Sequence, residues 1–230
     1  MKKIIFVLAV FISQFVAEAQ IKTPQTSPKS VINQMVGLTE VEINYSRPGA
    51  KGRPVFGNLV PFGKLWRTGA NENTTISFSD DVIIDGKTLK KGKYALYTVP
   101  RIESWDVIFY TTTDNWGLPQ EFNEANVALK TTVKEEALSK SVENLTITIG
   151  NLETNSATLE IAWENSSVAL KFDVPTQKTA MASIEKVLSG PTANDYYAAA
   201  NYLFQTNTDL PKSLVYVNKS LDMSKEKPFW

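Results

Sequence analysis

Five cations, a tryptophan, two amides and a carboxylate crowd residues 47–72, and their types define most of the chemistry open to this chain. Arg47, Lys51, Arg53 and Arg67 supply guanidinium forks and an ammonium suited to gripping a carboxylate, phosphate or sulfate. Gly49, Gly52 and Gly69 lie among them and let backbone N–H groups approach such an anion. Trp66 offers a flat apolar face for a sugar ring, with Asn71 and Glu72 beside it as hydroxyl-directed polar groups. Each of these residues also has a purely structural use. Arginines in a long connection bond loop carbonyls or pair with Glu40, Glu42 or Glu72, and a tryptophan anchors a loop in the core.

Glu72 is the one acid inside this motif and the weak catalytic candidate. As a general base it would need burial to raise its pKa, and glycoside cleavage would need a second carboxylate. Asp80, Asp81, Asp85 and Asp114 are present, but no spacing pairs any of them with Glu72. A salt bridge to Arg67 or a turn cap is the simpler role. Asp80-Asp81 near Asp85 lacks the alternating acidic loop of a calcium site, and Gly49-Ala-Lys-Gly52 lacks the P-loop pattern. The expectation is no metal and no cofactor. The chain has no histidine and no cysteine, which removes Ser-His-Asp and Cys-His nucleophiles and imidazole or thiolate metal sites. Carboxylate or lysine chemistry remains, or binding without catalysis.

These residues need a scaffold, and the chain divides into three parts. Residues 1–19 read as a secretory signal peptide: Lys2-Lys3, an apolar run from Ile4 to Val16, then Ala17-Glu-Ala19. The apolar run is too short to span a bilayer, so the expectation is an exported protein, periplasmic or secreted, without membrane insertion after cleavage. With basic and acidic residues balanced at 24 each, no global field attracts nucleic acid. Residues 20–175 carry the strand signals. Val41, Ile43 and Tyr45 alternate with Glu40, Glu42 and Asn44, Asp85-Gly86 marks a hairpin, and 105–111 is apolar on nearly both faces and belongs in mid-sheet. Short strands at 133–137, 145–149, 159–163 and 168–174 follow, the last two separated by a turn at Asn165-Ser-Ser. Trp105 and Trp163 read as core, whereas Trp116 in its Asn-Trp-Gly turn is placed to rim a pocket. The fold class expected is mainly β, an antiparallel β-sandwich or barrel of eight or nine strands.

Past Pro175 the period becomes helical over 176–230. The pattern predicts buried stripes at Tyr196, Ala199, Ala200, Leu203 and Phe204, and at Leu214, Val215, Val217 and Leu221. Tyr196 and Trp230 stand one 34-residue repeat apart, so the appendage reads as a tetratricopeptide-like hairpin, with a further repeat cut short at Lys227-Pro-Phe-Trp230.

Ser46-Arg-Pro, Lys51-Gly-Arg, Leu59-Val-Pro-Phe-Gly, Trp66-Arg-Thr-Gly-Ala-Asn-Glu72, Gly92-Lys-Tyr-Ala-Leu and Trp105-Asp-Val-Ile-Phe together resemble the bacterial exported family catalogued as domain of unknown function 2911. The resemblance covers roughly residues 25–175 and implies a β-rich exported domain, often with tetratricopeptide-like helices, but transfers no activity. The leading expectation is a non-catalytic binding module for a small anionic or carbohydrate ligand, held by Arg47, Lys51, Arg53, Trp66, Arg67, Asn71 and Glu72. A carboxylate-dependent hydrolase using Glu72 is one alternative. A structural or interaction protein acting on a protein partner through its helical tail is another.

Overall fold

The computed structural model describes residues 23–225 apart from 189 and 208. The expected leader and the restart of a repeat at 227–230 lie outside the described residues. β1 (Lys29–Val36) and β2 (Thr39–Ser46) pair antiparallel, and the alternation of β2 turns Val41, Ile43 and Tyr45 into the core. β3 (Thr75–Phe78) runs beside β2. β4 (Val82–Ile84) and β5 (Lys87–Leu89) are joined by Asp85 and Gly86 at φ 50° and 71°, the two left-handed residues of a type I′ turn. β6 (Gly92–Pro100), β7 (Ser104–Tyr110), β8 (Val127–Gly150) and β9 (Ser156–Asp173) complete the strands.

The spatial order is β1-β2-β3-β6-β7-β8-β9-β4-β5, an open antiparallel sheet of nine strands. β7 occupies its middle and is buried along almost its whole length, as two apolar faces require. Trp105, Val107 and Phe109 enter the main core. Ile108 and Tyr110 enter a smaller cluster with Ala95 and Tyr97, capped by Phe122 from the connection to β8.

β8 makes one sheet into two layers. Its first part pairs with β7 over 127–134 and its later part with β9 over 135–150. The sheet folds over along this strand, so Ile43 and Phe109 share one core with Ile147, Ile161 and Phe172. Phe78 of β3 meets Phe172 of β9 edge-on, with ring centroids 5.6 Å apart. The short strands expected between 133 and 174 are in fact these two long ones. Register shifts between Ala137, Val142 and Thr146 absorb the break in pattern, and Asn165-Ser-Ser continues β9 after Glu164 takes a left-handed φ of 53°. Irregularities that read locally as turns are accommodated as bulges because both strands have long partners.

α1 (Thr176–Leu188), α2 (Ala193–Gln205) and α3 (Leu210–Lys225) follow. Thr192 and Asp195 form a capping box on α2, and Asp209 caps α3 through the Lys212 N–H. α2 and α3 run antiparallel: the Tyr196 and Tyr216 rings lie 5.6 Å apart, and the Ser213 hydroxyl donates to the Ala200 carbonyl at 2.8 Å. The stripe predicted on α2 is largely the face it buries, with Tyr196, Ala199 and Leu203 half-buried beside Ala200, whereas on α3 only Val217 of the predicted four is half-buried. Ala200, Ser213 and Ser220 are buried, while Phe204, Leu214, Val215 and Leu221 are exposed. Small residues let the helices approach closely, and two helices alone have no third layer to cover the large apolar side chains. No helix among the described residues is long and apolar enough to cross a membrane.

A buried acid ties β7 to β8 and to the loop that follows β6. Asp106 on β7 accepts from Arg101 at 2.9 Å and from the Thr132 hydroxyl at 2.8 Å, with Lys130 at 3.2 Å. The Arg101 hydrogen bond leads in holding its carboxyl down, to about 2, against the desolvation that would raise it. A folded pKa below the unfolded one adds stability that is present above about pH 4 and lost as pH falls toward about 2. With both cations half exposed, the contribution at neutral pH is on the order of 2 kcal/mol. Asp106→Asn should lower Tm at neutral pH and flatten its decline between about pH 4 and 2. Parallel declines for both proteins in a melting series would show that another group governs the acid limb.

Candidate functional site

The chain from Arg47 to Thr74 leaves the sheet after β2 and returns at β3, and most of its first half is spent on holding itself down. Ala50 N–H donates to the Glu143 carbonyl at 2.8 Å, Leu145 N–H to the Pro48 carbonyl at 2.9 Å, and Val55 N–H to the Glu164 carboxylate at 2.8 Å. Arg47 donates through Nε to the Leu145 carbonyl at 3.0 Å and through Nη2 to the Thr146 hydroxyl at 2.8 Å. Arg53 donates to the Ala50 and Gly49 carbonyls, both at 2.9 Å. Lys51 is exposed at φ 52°, with its backbone N–H on the Glu143 carboxylate. Two of the three predicted anion-gripping forks are therefore bonded to the protein's own oxygens.

Trp66 lies in the core rather than at a surface. It is 9% exposed and stacks on Trp163 at 5.8 Å, with Trp105 and Phe56 at 6.3 and 6.1 Å edge-on. Its backbone forms a two-bond bridge with Thr98 on β6, and its indole N–H donates to the Gly69 carbonyl. This bridge fixes Arg67, the next residue. The Arg67 guanidinium lies against Gly117, whose missing side chain makes the room: a Cβ there would stand 2.7 Å from Nη1. A cleft of about 360 Å³ opens beside it, with Trp66, Trp163, Leu59, Leu65 and Leu118 among its walls.

The other end of the motif opens on a different cleft. Asn71, at φ 61°, donates to the Ser27 carbonyl and the Ser46 hydroxyl. Glu72 is about half exposed and pairs with the Lys29 ammonium on β1. Glu72 lies at a cleft of about 560 Å³ over the outer face of β2, β3 and β6, lined also by Asn44, Thr75 and Lys93 and closed on one side by Asp114, Asn115 and Trp116. Trp116 is 72% exposed at this rim.

Asn73 organises the floor. Its Nδ2 donates to the Tyr97 hydroxyl at 2.9 Å and to the Gly117 carbonyl at 2.7 Å, while its Oδ1 accepts from the Asn115 N–H at 3.1 Å. Burial pushes the Tyr97 phenol above its ordinary pKa, so its oxygen is a protonated acceptor for that amide. Asn115 keeps a buried Nδ2 without a hydrogen-bond partner. Among the described residues no three acidic side chains gather closely enough to hold a metal ion.

The predicted site is thus divided. Arg53, Trp66 and Arg67 border the smaller cleft, Glu72 borders the larger one, and Arg47, Lys51 and Asn71 line neither. Sequence reading missed Lys29, Asn44, Asn73, Lys93 and Asn115, which reach the larger cleft from separate strands and loops. The strict alternation of β2 is the signal that places Asn44 on its outer face.

A family model described as protein of unknown function (DUF2911) matches residues 27–172. No curated protein and no solved structure matches the chain.

Asn73→Ala removes two donated bonds and one accepted bond from a buried network, leaving the Gly117 carbonyl and Asn115 N–H without that partner. The expected loss is about 2–3 kcal/mol in chemical denaturation, with faster hydrogen exchange at residues 115–117. A loss below about 0.5 kcal/mol would mean that the turn is held some other way.

Proposed function

The chain belongs to the DUF2911 family, and we propose that it is an exported, non-catalytic module that binds a carbohydrate or similar polyhydroxylated ligand in the cleft under Trp116. The exposure of that indole carries the reading. A tryptophan leaves water readily, yet this one stands 72% exposed on a turn braced by Asn73, beside a floor of amides and hydroxyls. A pyranose ring has one apolar C–H face and a rim of hydroxyls, which suits an indole wall and a polar floor. Asn44, Asn115 and Thr75 supply donors and acceptors of the required kind, and Lys93 and Asp114 add charged partners for substituted sugars. The Lys29–Glu72 pair is exposed, so it contributes only roughly 0–1 kcal/mol and yields easily to ligand hydroxyls. The stacking platform expected at Trp66 is here assigned to Trp116, because Trp66 is committed to the core.

Export rests on the basic, apolar and Ala-x-Ala pattern of residues 1–19. We read α2 and α3 as a tetratricopeptide-like pair for protein contacts, supported by their antiparallel packing and by a groove flanked by Tyr197, Phe204 and Leu214. If so, Phe204→Asp reduces crosslinking to neighbouring proteins in the cell envelope, while Trp116→Ala does not; an unchanged crosslinking pattern for Phe204→Asp removes that reading.

Glycan-array screening followed by calorimetry tests the cleft. Trp116→Ala should weaken the best glycan by roughly tenfold or more while leaving Tm nearly unchanged, since the ring is already exposed. Absence of any bound glycan, or equal affinity for both proteins, rejects the proposal.

A further inference from the structure

Arg67 has no hydrogen-bond or ion-pair partner among the described residues, and its Nε is fully buried. Burying the Nε–H donor unpaired costs free energy that the fold would avoid by turning the side chain outward. Instead the structure builds a seat for it. Gly117 adopts φ 93° and leaves the room that Nη1 occupies, and the Asn73 amide holds that turn in place by its bond to the Gly117 carbonyl. Arg53, the other cation at this cleft, has its guanidinium committed to the Gly49 and Ala50 carbonyls. Arg67 is therefore the cation with unspent donors at a cleft of about 360 Å³, to which Leu59, Leu65 and Leu118 bring apolar surface.

We propose that this cleft is a second binding site, separate from the one under Trp116, and that it takes a small organic carboxylate with an apolar body. The planar guanidinium of Arg67 matches a carboxylate through its two Nη groups, which keep accessible surface while Nε is closed off. A carboxylate brings an apolar body to these walls along with its charge, whereas inorganic phosphate brings none. Leu59, Leu65 and Leu118 cover the hydrocarbon or aromatic part of the ligand.

Benzoate, hexanoate, neutral benzamide and inorganic phosphate are suitable probes for calorimetry and ligand-observed NMR on the purified protein. Benzoate or hexanoate is expected to bind saturably, benzamide and phosphate at least roughly tenfold more weakly. Arg67→Met should abolish carboxylate binding while leaving Tm nearly unchanged, since no hydrogen bond or ion pair is lost, and Arg67→Lys should retain weakened binding. Trp116→Ala should leave carboxylate affinity unchanged, so this site and the glycan cleft stand or fall separately. The inference is overturned if no carboxylate binds below about 10 mM. It is also overturned if Arg67→Met binds benzoate as wild type does, or if phosphate or benzamide binds as well as benzoate.

Discussion

The connection between β2 and β3 carries a long row of backbone N–H and C=O groups that no strand ladder satisfies, and satisfying them is the constraint that shapes this molecule. The solution is to stitch the loop onto the far layer. Main-chain bonds join Pro48 and Ala50 to residues 143–145 of β8, Arg47 reaches Leu145 and Thr146, and Glu164 accepts from Val55. The loop then pairs with the edge of β6 through the Trp66–Thr98 bridge and buries Trp66 against Trp163. Because the strap is bonded to β8 and β9 and its ends continue β2 and β3, it closes the layers around the aromatic cluster of Phe56, Trp66, Trp105 and Trp163. Guanidinium groups suit this task, since each can bridge two oxygens and stay charged while doing so.

The same strap leaves two side chains unlike the rest. Arg67 and Asn115 each hold a buried nitrogen without a partner, and the turn at residues 115–118 lies between the clefts they border. Native interiors tolerate few such groups, and those that persist mark places where something other than stability set the sequence. Trp116 and Leu118 border one cleft each, so a single short turn separates a polar hollow from an apolar one.

Much of the fold was legible because its signals are local. Asp85-Gly86 supplies the two left-handed residues a tight hairpin needs, and the double apolar face of 105–110 sends β7 to mid-sheet. The length of β8 and β9 was not legible, because the kink at Glu164 and the slips near Val142 look like chain reversals until the partner strand is known. On the helices, periodicity located the buried face of α2 around Ala200, but on α3 the contact is built on Ser213 and Ser220 rather than on its large apolar residues. For the site, residue types showed that Arg47 and Arg53 could donate, but not that their acceptors would be carbonyls. Nothing in the order of residues brings Lys29, Asn44 and Lys93 beside Asn115, since strand pairing across long separations does that. Trp116 was legible as a rim residue because Asn-Trp-Gly makes a turn.

β8 belongs to both layers, pairing β7 with its first part and β9 with its last. Neither layer is therefore a module that evolution could copy, trade or lose by itself, for cutting between them would halve a strand and strip each side of its edge partner. Diversity in such a scaffold has to accumulate where the ladder is absent, in the 47–74 strap and the 111–126 connection, and these two segments are the ones that meet at both clefts.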